Sequence, residues 1–236
     1  MSERIISGAP SEMATISCNC GKVKLTLPNV VPKYRCGCCC TECLQRAYIG
    51  ANGKPPAAVK DLEEPVDLLY IDSQIMKPDQ ETLANLAVFK LNKADAPNVN
   101  LRATCCGTVL CTQHQGFHAP HSMATFNNLR PFLKCDFENV PKSQLNVWTM
   151  DWLEKKSIAL ALNEKSTSGE ALPQIFDVMT ALEEKPITDL ISALQIEVSI
   201  KPENSISYAE LCDGIDVEIE NDFFAESRAH LSGEEL

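Results

Sequence analysis

Residues 18–27 read CNCGKVKLTL, and this stretch combines the two features that decide the fold. Its first four residues place two cysteines and a glycine in what we expect to be a compact turn. The residues that follow alternate valine and leucine with polar side chains, which is the two-residue period of a half-buried strand. Further short apolar runs lie at residues 67–71 and 86–91. We therefore predict that the first half of the chain is mainly β, with many short strands, many turns and little helix.

Cysteine is the unusual residue of this chain, with twelve among 236 residues, most of them in a few clusters. The N-terminal segment lacks the apolar stretch of a secretory signal, so we expect a reducing compartment, the cytoplasm. In such a compartment clustered cysteines are expected to bind metal ions or to react as thiols rather than to form disulfides. The cysteine spacing therefore predicts zinc as the cofactor, with one or two ions per chain.

Two distant cysteine pairs are predicted to form one zinc site. A structural zinc ion takes four ligands in a tetrahedron, and thiolates are favoured donors. Cys18 and Cys20 supply one half of such a site, and Cys105 and Cys106 supply the other. A glycine follows each half and allows the backbone to turn beneath the ion.

A second group of three cysteines lies between these halves. Cys38, Cys40 and Cys43 offer three ligands within six residues. Three protein ligands and one open position are the arrangement of a catalytic zinc ion. The open position can accept water or a substrate thiolate. These three cysteines are therefore the predicted catalytic site.

Three motifs appear in a fixed order, at residues 18–23 (CNCGKV), 38–43 (CCCTEC) and 103–110 (ATCCGTVL). They resemble the C-x-C-G-x-V, C-x-C-x-x-C and C-x-x-C-G-x-x-L elements of the glutathione-dependent formaldehyde-activating enzyme family, which includes the centromere protein V group. The resemblance covers roughly residues 13–112, about half of the chain. A match of three elements in order is far more specific than a single C-x-x-C.

The resemblance implies an Mss4-like fold, which is a set of folded antiparallel sheets. It implies a structural zinc ion held by the first and third motifs and a second zinc ion held by the cysteines of the second. It also implies carbon–sulfur lyase chemistry on a small-molecule substrate, in which a thiol, typically glutathione, adds to formaldehyde and gives a hydroxymethyl thioether.

The third motif departs from the family pattern, because Ala103 stands where its first cysteine is expected. Cys105 is the nearest substitute, but adjacent side chains on a strand point to opposite faces, so Cys105 and Cys106 would both reach one ion only if a bulge intervened. The structural site could thus be rebuilt with Cys105, hold three ligands, or be lost.

Other polar side chains near the motifs are weaker candidates. His114, His118 and His121 could form a further metal site or line a pocket, but loop histidines are the more common interpretation. Glu42 and Arg46 could meet a substrate carboxylate, and we expect them instead to be solvated.

The C-terminal third differs from the rest of the chain, because residues 151–236 contain 6 lysines and arginines against 19 acidic residues. Helical spacing is expected at residues 175–182 and 190–194, and a strand at 196–200. This portion is predicted to be an acidic α/β elaboration, packed on the same domain or forming an interface. The predicted organisation is a flexible arm at 1–12, a zinc-binding Mss4-like domain at 13–150, and this elaboration at 151–236.

Three functional hypotheses follow from the sequence. The leading one is a zinc-dependent lyase acting on a small carbonyl compound and a thiol. The alternative is a non-catalytic zinc-binding scaffold whose acidic part engages a protein partner or a second copy of the chain. A third is a redox protein using Cys36 and Cys39. The net charge of −11 argues against a nucleic-acid partner, and no apolar run is long enough for a membrane span.

Overall fold

A computed structural model describes residues 13–28, 32–38, 40–50, 66–126, 133–137, 140–143, 145–147, 174–176, 182–197 and 201–220. The predicted arm at residues 1–12 lies outside the described residues. The described chain is mainly β, as the short alternating runs predicted. Its large sheet is mixed, whereas the family resemblance implied antiparallel sheets. None of its described helices is long and apolar enough to cross a membrane.

Fourteen strands form three sheets within the described residues. Their bounds are β1 Ala14–Cys18, β2 Lys24–Leu27, β3 Tyr34–Cys38, β4 Val66–Asp72, β5 Gln74–Met76, β6 Leu86–Leu91, β7 Asn98–Ala103, β8 Val109–His114, β9 Ser122–Phe126, β10 Leu133–Cys135, β11 Leu145–Val147, β12 Gln174–Phe176, β13 Ser205–Ser207 and β14 Val217–Glu220. The four described helices are α1 Thr41–Gly50, α2 Gln80–Ala84, α3 Lys185–Leu194 and α4 Tyr208–Asp213.

The large sheet has nine strands in the order β12-β11-β3-β4-β9-β8-β7-β6-β14. Its interior pairs are antiparallel, whereas β11 runs parallel to both β3 and β12, and β14 runs parallel to β6. Two smaller sheets accompany it, with the orders β10-β1-β2 and β13-β5. Helix α1 and strand β1 both contact β8, so the centre of the large sheet lies inside the core.

The core follows the alternation seen in the sequence. Ile16 and Leu25 pair across β1 and β2 and are fully buried. In the central strand β9 all five residues are buried, as expected for a strand covered on both faces. Phe89 and Phe126 are among the largest buried side chains and join the strands of the large sheet to one apolar cluster.

Elements of the C-terminal third pack on these same sheets. Helix α3 buries Ile187, Leu190 and Leu194 on one face, which confirms the helix expected at residues 190–194. Strand β14 extends the large sheet along β6, and Arg102 forms ion pairs with Glu218 and Glu220 of that strand.

Two secondary-structure predictions for this region fail at their first residues. The helical spacing expected from residue 175 is interrupted at its start, because residues 174–176 form strand β12 beside β11. Residues 177–181 lie outside the described residues. Ile196 is an exposed residue that follows α3 and lies outside any strand, and its carbonyl oxygen accepts a hydrogen bond of 2.7 Å from Lys33. Residues 198–200 of the predicted strand lie outside the described residues. Pairing with β11 therefore overrides the local apolar spacing at residues 174–176.

Candidate metal centres

The first half of one centre is the turn between β1 and β2. The amide of Gly21 donates to the carbonyl oxygen of Cys18 at 3.0 Å, and the Cys18 amide donates to Val23 at 3.0 Å. Gly21 has φ +81°, a left-handed conformation that only glycine adopts at low cost. The turn therefore brings Cys18 and Cys20 together, with their Sγ atoms 3.6 Å apart.

The second half is the turn between β7 and β8. The amide of Gly107 donates to the carbonyl oxygen of Ala103 at 2.9 Å, and Gly107 has φ +73°. Cys105 and Cys106 lie within this turn and not on a strand, so the alternation of strand side chains does not separate them. Their Sγ atoms are 3.9 Å apart. Ala103 is fully buried at the end of β7.

These four cysteines, Cys18, Cys20, Cys105 and Cys106, are called the turn centre here. All four Sγ atoms lie within 4.8 Å of one another. Across the two turns, the sulfur of Cys105 is 3.3 Å from Cys20 and 3.7 Å from Cys18. Zinc–sulfur bonds of about 2.3 Å in a tetrahedron separate the sulfurs by about 3.8 Å. The turn centre could therefore hold a metal ion, and its sulfur spacing fits zinc.

Hydrogen bonds support the sulfurs of the turn centre. The amide of Val23 donates to Cys18 Sγ at 3.3 Å. The Asn19 amide donates to the hydroxyl oxygen of Thr108 at 3.1 Å, which directs the Thr108 proton to Cys106 Sγ at 3.1 Å. Burial raises the pKa of Cys106, but the bonds from Thr108 and from the backbone outweigh it and lower this pKa to about 6. Cys106 is thus prepared to act as a thiolate ligand.

The second centre lies where β3 leads into α1. Its three cysteines, Cys38, Cys40 and Cys43, are called the helix centre here, and their Sγ atoms also lie within 4.8 Å of one another. The Sγ atoms of Cys38 and Cys40 are 3.4 Å apart. The amide of Cys43, in the first turn of the helix, donates to Cys40 Sγ at 3.3 Å. The helix centre could also hold a metal ion, with three cysteine ligands among the described residues.

The helix centre is buried and charged. Cys38 and Cys43 are 2% and 4% exposed, and Cys40 is partly exposed. Hydrogen bonds from the Cys38 and Cys40 thiols hold the pKa of Cys43 well below its usual value, against the effect of burial, and Arg46 lowers it further. Cys43 is therefore the thiolate of the group, as expected for a sulfur beside a guanidinium at a helix N-terminus.

Arg46 is not solvated, so the prediction made for it from sequence is wrong. Its side chain is 3% exposed, and Nη1 donates to Cys43 Sγ at 3.2 Å. Nη2 donates to Glu42 Oε2 at 3.0 Å, and the Glu42 side chain is 32% exposed. Asn98 on β7 also donates to Glu42. The α-helix explains this arrangement, because residues three and four positions apart share one face.

The histidines support the surrounding loop. In the part of the chain that the structure describes, neither cysteine group includes a histidine. His118 is buried, its Nε2 accepts from the His114 amide at 3.2 Å, and its Nδ1 donates to the Ser122 carbonyl oxygen at 3.3 Å. Burial lowers the pKa of His118 to about 3. His114 Nδ1 accepts from Gly116, and the carbonyl oxygen of His121 accepts from Lys33.

The remaining cysteines are distributed through the fold. Cys36 is fully buried on β3, which removes it from the solvent that a redox thiol needs. Cys39 lies outside the described residues.

Comparison with known proteins adds no further assignment. No protein-family model and no curated protein matches the chain. The argument for function therefore stands on the geometry of the two centres.

Sequence reasoning considered Arg46 but expected it to be solvated, and it missed Thr108. Arg46 lies one helical turn after Cys43, and this spacing would have marked it had α1 been predicted. Thr108 follows directly after Gly107 and gave no separate signal. Its role depends on the contact with Asn19, a residue 89 positions away.

Proposed function

We propose that the chain is a zinc-dependent enzyme of the carbon–sulfur lyase type, which joins a thiol to a small carbonyl compound such as formaldehyde. The observation that carries this proposal is the difference in ligand number between the centres. The turn centre offers four cysteines, enough for a closed structural site. The helix centre offers three among the described residues, the number typical of a catalytic zinc site with an open position.

The reaction requires no oxidant or reductant. The thiol sulfur forms a bond to the carbonyl carbon, the carbon–oxygen π bond breaks, and the thiol proton moves to the oxygen, so that the product is a hydroxymethyl thioether. Zinc bound by Cys38, Cys40 and Cys43 would supply a positive charge that stabilises a thiolate or polarises a carbonyl oxygen. The protein contributes a partly exposed sulfur, Cys40, beside two buried ones, so that the metal is held firmly yet reached from one side.

The family resemblance supports the same proposal. It assigns the Mss4-like fold and glutathione as the thiol, and the grouping of the cysteines agrees with the ligand sets that it implies. The proposal also places the chain in a reducing compartment such as the cytoplasm, where clustered cysteines are expected to bind metal ions rather than to form disulfides.

The proposal is tested by removing one sulfur from the helix centre. Cys40→Ala should lower the turnover of formaldehyde and glutathione more than about 100-fold, which exceeds the usual cost of an outer-shell change. Turnover is measured by NMR detection of the hydroxymethyl thioether, and native mass spectrometry should show two zinc ions in the parent chain and one in the variant. Cys36→Ala is the matched control, since it removes a thiol from the same segment but not from the group, and it should retain both ions and most activity.

The rival function is a zinc-binding scaffold, and the burial of Cys38 and Cys43 favours it because buried sulfurs restrict access to a metal ion. In that case the acidic C-terminal part would engage a protein partner or a second copy. A parent chain that holds two zinc ions but produces no thioether with any small thiol would favour the scaffold. Thioether formation that is unchanged in Cys40→Ala would refute catalysis at the helix centre.

A further inference from the structure

A buried arginine contacts the helix centre and has no assigned role in the proposed function. Arg46 lies in α1, one turn after Cys43, and its side chain is only 3% exposed. Burial of a guanidinium group is costly unless charged or polar partners compensate it. Its two terminal nitrogens have such partners, since Nη1 donates to Cys43 Sγ at 3.2 Å and Nη2 donates to Glu42 Oε2 at 3.0 Å.

The two partners of Arg46 differ in their access to water. The Glu42 side chain is 32% exposed, so solvent screens part of its charge. Cys43 is 4% exposed and lies beside Cys38 and Cys40, so its charge is screened much less. The guanidinium charge is therefore more strongly coupled to the sulfurs than to the carboxylate.

We propose that Arg46 is a positioning residue of the helix centre, which orients the Cys43 sulfur and balances the excess charge of three thiolates around a divalent metal ion. Three thiolates and one divalent cation carry a net charge of −1, and a buried site tolerates such a charge only beside a compensating group. An N–H donor to a ligand atom also fixes the direction of its lone pairs, as outer-shell partners do at other metal sites. The inference rests on the metal binding of the proposed function.

The position of Arg46 is itself fixed from outside α1. Asn98 on β7 donates to the same Glu42 oxygen that accepts from Arg46. Asn98 on the large sheet thereby holds the Glu42 carboxylate in place. The carboxylate in turn orients the Arg46 guanidinium, and the guanidinium orients the Cys43 sulfur. A lysine would keep the charge, but its single ammonium group could not reproduce the planar fork that bridges Cys43 and Glu42.

The test uses the full chain loaded with Co²⁺, because thiolate-to-cobalt charge-transfer absorption reports the donor strength of the sulfurs. Arg46→Gln should release the metal of one centre at a free chelator concentration about 10–100-fold lower than the concentration that releases it from the parent chain. Its charge-transfer band should move to longer wavelength, since a thiolate without its N–H donor gives up charge more readily. Arg46→Lys should recover part of the metal retention, which a purely steric role would not allow.

Arg35→Gln is the matched control. Arg35 forms a comparable ion pair with Asp67 at 2.6 Å on the neighbouring strands β3 and β4. This variant should keep the metal retention and the spectrum of the parent chain. Because the turn centre is the same in all variants, differences between their spectra report the helix centre.

The outcomes separate this inference from the proposed function. If Arg46→Gln retains the metal as the parent chain does and its charge-transfer band does not shift, the role of Arg46 is overturned. The proposed function is not affected by that result. If Arg46→Gln and Arg46→Lys lose the metal equally and neither shifts the charge-transfer band, Arg46 acts only through packing and the inference is overturned. If Arg46→Gln fails to fold, Arg46→Lys decides. Metal retention below that of the parent chain with a shifted band supports the inference, whereas a parent-like spectrum and retention show that the guanidinium fork is not needed and overturn the positioning role. A parent chain whose helix centre takes no Co²⁺ would overturn both.

Discussion

The turn centre and the helix centre both gather cysteine sulfurs, but they do so on different scales of the chain. The turn centre joins two β-turns, and Cys20 and Cys105 are 85 residues apart. The helix centre is assembled from one strand end and the first turn of the helix that follows. With a metal ion bound, one centre would therefore be a cross-link between distant strands, whereas the other is a local motif in a buried environment that the rest of the fold provides.

The difference teaches where metal binding should contribute to stability. Joining distant segments restricts the unfolded chain far more than joining neighbours, because the entropy of closing a loop grows with its length. The turn centre also has the full number of ligands for a closed site. The helix centre has fewer ligands among the described residues and joins near neighbours in the chain, so metal binding there should contribute less to stability.

The largest expected effect separates the two centres directly. In the zinc-loaded chain, Cys20→Ser should lower the free energy of unfolding by about 4 kcal/mol or more, because it breaks a four-ligand metal cross-link between segments 85 residues apart. Cys40→Ser should lower it by less than about 2 kcal/mol. Denaturant unfolding measures both, and the difference should disappear when a strong chelator is present. Equal losses in the two variants would contradict the assignment of the turn centre as the structural cross-link.

A smaller effect concerns acid sensitivity beside the helix centre. Burial lowers the pKa of His118 to about 3 in the folded chain, whereas an unfolded histidine titrates near 6.5. The unfolded chain therefore binds the additional proton, and the stability present above pH 6.5 is lost as the pH falls from 6.5 toward 3.

At pH 5 the stability lost because the unfolded chain binds this proton is at most about 2 kcal/mol, and His118→Gln should remove the loss. The measurement is the change in unfolding free energy between pH 7.5 and pH 5 in the parent and the variant. Metal release in acid is common to both and cancels in the comparison. His121→Gln serves as the control, and parallel pH profiles for the parent and His118→Gln would exclude the buried neutral histidine as the cause.

The smallest expected effect tests the two halves of the turn centre against each other. Gly21→Ala and Gly107→Ala should each cost about 1–2 kcal/mol, because both positions have positive φ and an L side chain is strained there. A Cβ at Gly107 would lie 3.8 Å from the Ile49 carbonyl oxygen, and at Gly21 it would meet nothing within 4 Å, so backbone strain alone should set the cost. Gly116→Ala, at a described glycine without positive φ, should change the unfolding free energy by less than about 0.5 kcal/mol. A large cost at one turn only would show that the halves are not equivalent.

Several parts of the fold and of the candidate sites were accessible from the sequence. The alternation around Leu25 predicted a strand, and the cysteine spacing predicted both groups that the structure brings together. Helix α1 was not predicted, because the residues where it begins were interpreted as a metal-binding motif and not as the start of a helix. The strand at residues 174–176 was not predicted either, since its partner β11 is distant along the chain.

The adjacent pair Cys105 and Cys106 shows where local rules fail. On a strand the two sulfurs would diverge, and the sequence alone left open whether the site survives Ala103. The structure places both cysteines in a turn that Gly107 allows, and the same turn leaves Ala103 in the core. A rule about strands does not apply to residues that the surrounding strands place in a hairpin.

The sequence by itself determined which cysteines could bind metal ions, because ligand type and short spacing are local properties that need no partner. It also determined the β character of the first half, because a period of two is visible in the chain. Only the tertiary structure decided that Cys105 and Cys106 both reach the turn centre although Ala103 replaces a cysteine, and that Arg46 is buried against Cys43. Such contacts depend on how strands far apart in the chain pair, and no local pattern encodes that pairing.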